Sequence, residues 1–133
     1  MSAADISALA SQAKADLKPG QTVITVPVLR MGAYRPNLDY RNGVSAAAIH
    51  EDEGEFFYVL EGTGTLRTGG KLVNETRTGR ANLSGTAIEG GEERKVAKGD
   101  FFMVPEKTPH WFSTVDGELV VMSLHVPRPP TAP

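Results

Sequence analysis

The chain has no cysteine, so disulfide bonds and thiol chemistry are both excluded. It also has no hydrophobic run long enough to span a bilayer, and its N-terminal segment carries charges where a signal peptide needs a continuous apolar core. The net charge of −2 gives no electrostatic basis for binding nucleic acid or an anionic membrane surface. We therefore expect a soluble, cytoplasmic protein that binds neither nucleic acid nor a membrane.

What the sequence does contain is typical of a small, turn-rich β protein. Its 133 residues correspond to a single domain that is long enough to bury a hydrophobic core. The 14 glycines and 9 prolines indicate many turns. Short β-forming segments recur between turn signals about every 8–12 residues, and no strand–helix alternation is present. The pattern predicts an all-β fold, either an antiparallel sandwich or a barrel.

A single helix is predicted, at the N-terminus over residues 3–17. Ile6 and Leu9 begin an apolar stripe at helical spacing. Ser2 and Asp5 have the spacing of a capping box, in which each residue caps the backbone of the other. We expect the apolar stripe of this helix to pack against a sheet or a second subunit.

The chain divides into three predicted segments. They are a helix with its connection (1–20), a β domain (21–126) and a Pro-rich tail (127–133). Within the β domain, residues 34–43 and 74–82 are rich in turn-forming and polar residues, so we predict loops there. Gly62 is predicted to form a turn between two strands.

Histidine and carboxylate side chains occur at the ends of two predicted strands. His50 precedes a strongly β-forming segment that opens with Glu55, and His110 ends residues 99–110. Imidazole and carboxylate groups from separate strands are the ligands that a divalent metal ion needs. Because residues two apart share a strand face, Ala48 lies beside His50 and leaves space there. His50 and His110 could therefore frame a pocket that Glu55 also reaches, and such a pocket suits a divalent ion.

The same alternation selects residues that would line a pocket around the ligands. The predicted pocket residues are Ala48, Phe57, Phe112, Thr114, Arg35 and Tyr40. The last two belong to Tyr–Arg pairs in the predicted 34–43 loop, where a guanidinium group could bind an anionic substrate. An exposed loop or a subunit contact is the alternative interpretation of those pairs. Tyr58 is the candidate general acid, although alternation places it on the face opposite Glu55 and favours a packing role.

The two segments resemble the two sequence motifs of the cupin superfamily. In the first motif a glutamate is followed, after six residues, by a glycine, as in Glu55 and Gly62. In the second motif a glycine is followed, after five residues, by a proline, as in Gly99 and Pro105, and His110 lies where the histidine of that motif belongs. Both motifs occur in the family's order.

The resemblance implies a fold, a cofactor and an assembly. The fold is a small antiparallel jelly-roll barrel, the assembly is a homodimer, and the cofactor is a divalent ion such as iron, manganese, zinc or nickel. Such ions are usually held by three histidines and a glutamate, of which His50, Glu55 and His110 are present while Ala48 replaces the fourth ligand. A second register, with Asp52 as an oxygen ligand, would favour a harder metal. His125 lies outside both motifs, and we expect it to be structural.

Two functions remain open on this basis. The first is a metal-dependent enzyme of the oxygenase, lyase or isomerase type that acts on a small molecule. The second is a non-catalytic module that binds a small ligand in a degenerate, metal-poor site. The three retained ligands favour the enzyme, whereas Ala48 favours the binding module.

Overall fold

The structure, a computed structural model, describes residues 1–130. Across these residues it contains one α-helix and eleven strands. The elements are α1 (Ala3–Asp16), β1 (Val23–Pro27), β2 (Arg35–Arg41), β3 (Ala47–His50), β4 (Glu53–Thr68), β5 (Lys71–Val73), β6 (Thr76–Gly79), β7 (Asn82–Gly85), β8 (Ala87–Glu89), β9 (Glu92–Ala97), β10 (Phe101–Val104) and β11 (His110–Pro127). Over the same residues, no helix is both long and apolar enough to cross a membrane.

Helix α1 begins with the predicted capping box and lies against the outer face of the sheet. The Ser2 hydroxyl accepts a hydrogen bond from the Asp5 N–H at 3.1 Å, and the Asp5 carboxylate accepts one from the Ser2 N–H at 2.8 Å. Ala13 is buried against Leu38 and Tyr40 of β2. The prediction of an N-terminal helix that packs on a sheet is therefore confirmed.

Among the described strands, nine form one curled sheet and the remaining two, β5 and β8, form a separate pair. Strands β1, β2, β11, β3, β7 and β6 follow one another in this sheet, while β4 pairs with β9, β10 and β11. The β4–β11 ladder is interrupted at three places, after Phe112, Val115 and Val120. Such irregularities increase local twist and let a sheet close on itself. The predicted all-β, antiparallel jelly-roll barrel is confirmed.

The predicted loop at residues 34–43 is wrong, because Arg35–Arg41 form strand β2. This strand pairs with β1 on one side and with β11 on the other. Pairing on both sides outweighs the turn preference of the Asn, Asp and Pro residues in the segment, since strand propensity depends strongly on tertiary context. The predicted loop at residues 74–82 likewise contains a short strand, Thr76–Gly79.

Gly62 bends a continuous strand and does not separate two strands as predicted. It lies inside Glu53–Thr68 with a φ of +87°. A Cβ atom at this position would overlap the carbonyl oxygen of Glu118 on β11. Glycine is needed here both for the left-handed backbone and for the close approach of two strands.

Two apolar clusters pack on opposite faces of the sheet. The outer cluster lies under α1, and the inner cluster fills part of the barrel with Phe57, Val59, Leu66, Val96, Val104, Phe112, Leu119 and Val121. The rest of the interior is a cavity. In the predicted tail, Pro127 is the last residue of β11, and residues 131–133 lie outside the described residues. The three-segment division at residues 20 and 126 stays a prediction.

Candidate metal centre

The three histidines of the chain converge on one buried carboxylate, Glu55, inside the barrel. His50 ends β3, His110 begins β11, and His125 lies near the end of β11. Glu55 Oε2 lies 3.2 Å from His110 Nε2 and 3.4 Å from His50 Nε2, and Glu55 Oε1 lies 3.1 Å from His125 Nε2. The four side chains therefore form one cluster.

Strand pairing explains why these distant residues meet. His110 pairs with Ala48 on β3, and His125 pairs with Glu55 on β4. Both histidines belong to β11, which is long enough to run past the two strands that carry the first motif. The two-residue connection between β3 and β4 then brings His50 over Glu55.

Two of the histidines hold the tautomer that a metal ligand requires. His50 Nδ1 lies 2.8 Å from Asn82 Oδ1, and His110 Nδ1 lies 3.0 Å from the Thr108 carbonyl oxygen. Both oxygens accept hydrogen bonds, so each Nδ1 carries the proton, and in neutral imidazole the Nε2 atom then presents a lone pair. Each Nε2 faces Glu55, where it can bind a metal ion through a lone pair or, when protonated, donate a hydrogen bond to the carboxylate.

His125 lies between two carboxylates. Its Nε2 faces Glu55, and its Nδ1 lies 3.1 Å from Glu53 Oε2. Although that distance is short, the contact is poorly aligned, and among the described residues His125 Nδ1 has no hydrogen-bond partner of good geometry. Arg35 Nη2 holds Glu53 through contacts of 2.8 and 3.1 Å with its two oxygens. Glu53 therefore places a negative charge beside His125 Nδ1 without the well-aligned hydrogen bond by which carboxylates orient histidine ligands in metal sites.

The electrostatics of the cluster favour an ionised carboxylate. Burial alone would raise the pKa of Glu55, but the contacts with His110, His125 and His50 outweigh burial and lower this pKa far below its usual range. Burial alone would lower the pKa of His50, whereas its contacts with Glu55 and Asn82 raise that pKa. Glu55 is thus an anion that attracts positive charge from every side of the cluster.

A divalent cation fits this set of donors. One ligand atom from each of His50, Glu55 and His125 can be chosen so that all three lie within 4.8 Å of one another. His110 approaches the same Glu55 oxygen as His50 does. Imidazole nitrogens with one carboxylate suit zinc, iron, manganese and nickel. A cation among them would bind the inward-facing lone pairs and the carboxylate together.

Three of the predicted pocket residues line the cavity beside this cluster. The cavity has a volume of about 190 Å³, and Ala48, Phe57 and Phe112 are part of its wall. The ring of Phe57 packs edge-on against Phe112 with centroids 5.7 Å apart. Ala48 contributes only a methyl group to this wall.

Four other predicted site residues lie elsewhere. Thr114 is exposed and donates a hydrogen bond to Thr65, because a register shift after Phe112 reverses the alternation of β11. Tyr40 lies under α1. Tyr58 is 40% exposed on the outer face. Arg35 lies outside the cavity wall and is a largely exposed partner of Glu53.

The structure also bears on the two remaining sequence interpretations. The side chain of Asp52 is exposed and does not belong to the group of close ligand atoms, so the geometry favours the register with Ala48 and His50. His125, which we expected to be structural, lies with a ligand atom close to those of His50 and Glu55 and lines the cavity, so it joins the candidate ligands. The signal that could have identified His125 is its strand phase, since Ser123 and His125 share the inner face.

Comparison with known proteins agrees with the fold. The model of a protein family described as Cupin matches residues 21–131. A search of curated proteins found no match. Among solved structures, a candidate mannose-6-phosphate isomerase from Ralstonia eutropha JMP134 superposes with a TM-score of 0.60 at 20% identity, covering 86% of this chain and 94% of that protein.

Two further structures are larger than this chain. The iron(II) form of HppE superposes with a TM-score of 0.61 at 16% identity, covering 80% of this chain and 52% of that protein. A hydroxypropylphosphonic acid epoxidase from S. wedmorenis gives a TM-score of 0.62 at 18% identity, covering 83% of this chain and 53% of that protein. At these identities the likeness shows a shared fold.

Proposed function

This chain belongs to the cupin family, and from that premise we propose that it is a metal-dependent enzyme that acts on a small molecule. The observation that carries the proposal is the orientation of the histidines. His50 and His110 each direct Nδ1 to an oxygen acceptor and turn Nε2 toward the carboxylate of Glu55. Imidazole nitrogens that converge on a buried carboxylate, with their outer ring nitrogens oriented by oxygen acceptors, form a donor set suited to a divalent metal ion.

The proposed ligand set is His50, Glu55, His110 and His125. In this set His125, from the end of β11, supplies the imidazole that position 48 lacks. The small side chain of Ala48 then keeps space next to the metal for a substrate. A site with protein ligands on one side and an open side is the arrangement expected of catalytic metals.

A bound divalent ion would supply Lewis acidity or a bound water of lowered pKa. The protein would hold a small substrate in the adjacent cavity, where Phe57 and Phe112 exclude water from one wall. Oxygenase, lyase and isomerase chemistry are all compatible with such a site. The names of two structural neighbours include an isomerase and an epoxidase, which are consistent with this range.

Elemental analysis of the full chain, purified without chelators or a metal-affinity column, tests the proposal. We expect close to one equivalent of iron, manganese, nickel or zinc per chain. Glu55→Gln and His110→Ala should each lower the occupancy sharply, while Glu75→Gln on the exposed surface should leave it unchanged. Unchanged occupancy in both site variants would exclude the ligand assignment.

The second candidate function is a non-catalytic module that binds a small ligand. Ala48 favours it, because the position offers no ligand atom, and so does the outward orientation of Tyr58, the candidate general acid. In that case the purified chain would be free of metal and would resist reconstitution with each of the four ions. The cluster around Glu55 would then be a polar pocket for the ligand itself.

We also propose that the protein forms a homodimer in the cytoplasm. Support for the dimer comes from an apolar area on the outer face of the sheet, where Tyr58, Phe101 and Met103 are 40%, 66% and 48% exposed. Phe101 stacks on Phe56 with ring centroids 5.7 Å apart and extends this area along β10. Sedimentation equilibrium would give the assembly state, and Phe101→Ser should shift the equilibrium toward monomer. Cell fractionation would test the location.

A further inference from the structure

Strand β2 presents a polar face to the barrel interior, where most other strands present apolar residues. Asn37, Asp39 and Arg41 alternate along β2 and all line the cavity. The intervening residues, Leu38 and Tyr40, are buried beneath α1. The usual orientation of a barrel strand is therefore reversed in β2, with its apolar face outside and its polar face inside.

The polar face of β2 contains a nearly buried ion pair. Arg41 Nη2 lies 2.7 Å from Asp39 Oδ2, and the two side chains are 14% and 9% exposed. The Thr25 hydroxyl donates to Asp39 at 2.6 Å, Arg41 Nη1 donates to Ser45 at 2.7 Å, and the guanidinium lies 4.9 Å from the centre of the Phe112 ring. Buried ion pairs are costly to desolvate and can often be replaced by apolar residues without loss of stability. Stability alone therefore does not account for this pair.

The register of the sheet places these residues next to the histidine cluster. Asn37 pairs with Ser123, and Ser123 also pairs with Phe57. This row lies two residues from the row that contains His125 and Glu55, a separation of about 7 Å along the strands. A molecule of a few carbon atoms held at the cluster would therefore reach the Asn37–Ser123 row.

The group of Thr25, Asn37, Asp39, Arg41 and Ser123, which we call the polar wall, contains both donors and acceptors of hydrogen bonds. The Asp39 carboxylate accepts hydrogen bonds and the Arg41 guanidinium donates them. The Asn37 amide and the hydroxyls of Thr25 and Ser123 can do both. Asp39 and Arg41 already pair with each other and with Thr25 and Ser45, but Arg41 Nε has no hydrogen-bond partner among the described residues. An apolar ligand would leave this buried N–H group unpaired, which is costly. A ligand hydroxyl, by contrast, can donate to Asp39 while it accepts from Arg41 or Asn37.

We propose that the polar wall recognises neighbouring hydroxyl groups, so that the ligand of the cavity is a small polyhydroxylated compound, either a neutral polyol or sugar, or a sugar acid. The inference rests on the proposed function in that it names the substrate class of the same cavity. The cavity volume of about 190 Å³ limits the compound to one small molecule. The recognition itself uses side chains of this chain and needs no metal.

Nuclear magnetic resonance titration of the full chain, with and without EDTA, tests the proposal. The probes are sorbitol, gluconate and hexanoate, which share six carbon atoms and differ in hydroxyl and carboxylate groups. We expect gluconate or sorbitol to shift the side-chain N–H signals of Asn37 and Arg41, and hexanoate to leave them unchanged. Shifts with both hydroxylated probes indicate a polyol or sugar, whereas shifts with gluconate alone indicate a sugar acid.

A pair of matched variants locates the binding. Asn37→Leu removes a polar group from the wall without leaving an unpaired charge, and Asn42→Leu makes the same change on the exposed surface. The first should weaken binding of the hydroxylated probe at least about tenfold, because it removes hydrogen bonds to the ligand. The second should leave binding unchanged.

Three outcomes would overturn the proposal. They are hexanoate binding as tightly as gluconate, no binding of any probe, and equal binding by the Asn37→Leu variant. These results are independent of the metal analysis. A metal-free protein that still binds the hydroxylated probes through Asn37 would refute the metal-dependent enzyme function and leave the present inference standing. A metal-loaded protein that binds none of the probes would refute the present inference and leave the metal site standing.

Discussion

A substitution at Gly62 would test whether the close approach of β4 and β11 holds the barrel in shape. Gly62 and Gly99 both have left-handed backbones, with φ of +87° and +91°. A Cβ at Gly62 would lie 2.9 Å from the carbonyl carbon of Glu118 and 3.0 Å from Leu119 Cα, whereas a Cβ at Gly99 would meet nothing within 4 Å. Gly62→Ala and Gly99→Ala therefore share a backbone penalty and differ in one steric overlap.

The size of each effect follows from this difference. A side chain in the left-handed region costs about 1–2 kcal/mol, which is the whole expected effect of Gly99→Ala. In Gly62→Ala the overlapping atoms belong to the backbone of β11 and cannot rotate away. Forcing extra volume into a packed site adds about 1–3 kcal/mol, so the total loss of stability is about 2–5 kcal/mol. For a chain of this length, each kcal/mol lowers Tm by about 3–5 °C.

Urea denaturation followed by circular dichroism would measure both variants beside the unmodified protein. We expect the Gly62 variant to lose clearly more stability than the Gly99 variant, at an unchanged dependence on urea. Equal losses would mean that the overlap at Gly62 is relieved without cost, and the reasoning about this strand contact would then be refuted.

Three further predictions concern the cluster and the helix. Ala48→His should tighten zinc binding in a chelator competition assay if position 48 is a lost ligand position, and weaker binding would show that the new side chain only crowds the cavity. Glu53→Gln should lower zinc affinity in calorimetry, because it removes a negative charge that lies 3.1 Å from His125 Nδ1, while Glu89→Gln on the surface should have no effect. Hydrogen bonds from Tyr40 and Lys14 lower the pKa of Glu118. The ionised carboxylate therefore stabilises the fold at pH values above the ordinary glutamate pKa of 4.5, and this stabilisation is lost as the pH falls through the lowered pKa. The stability difference between the unmodified protein and Glu118→Gln, measured by urea denaturation, should therefore shrink in acid, and a constant difference would contradict the assignment.

Spacing along the chain was sufficient to identify the fold and most of the cluster. The intervals from Glu55 to Gly62 and from Gly99 to Pro105 are local properties of the sequence, and they carried the resemblance that the family match confirms. The same motifs selected His50 and His110, which the structure brings to within 3.4 and 3.2 Å of Glu55.

His125 could not be selected in this way, because its role depends on the pairing of two distant strands. It lies 70 residues beyond Glu55 in the sequence, yet the two residues are direct partners in the β4–β11 ladder. The register of β11 also shifts after Phe112, which changes which residues face the interior. Strict alternation from His110 therefore wrongly placed Thr114 in the pocket. Neither a long-range register nor a bulge has a reliable local signature.

By itself, the sequence determined the all-β class, the capped helix, the two motifs and a carboxylate close to two histidines, because each depends on side-chain type and short-range spacing. Only the tertiary structure decided that Arg35–Arg41 form a strand, that Asn37, Asp39 and Arg41 face inward, and that His125 joins the cluster. The physical reason is that these features depend on which strands hydrogen-bond to each other and which sheet face α1 covers. Such long-range contacts can outweigh the local preference of any single segment.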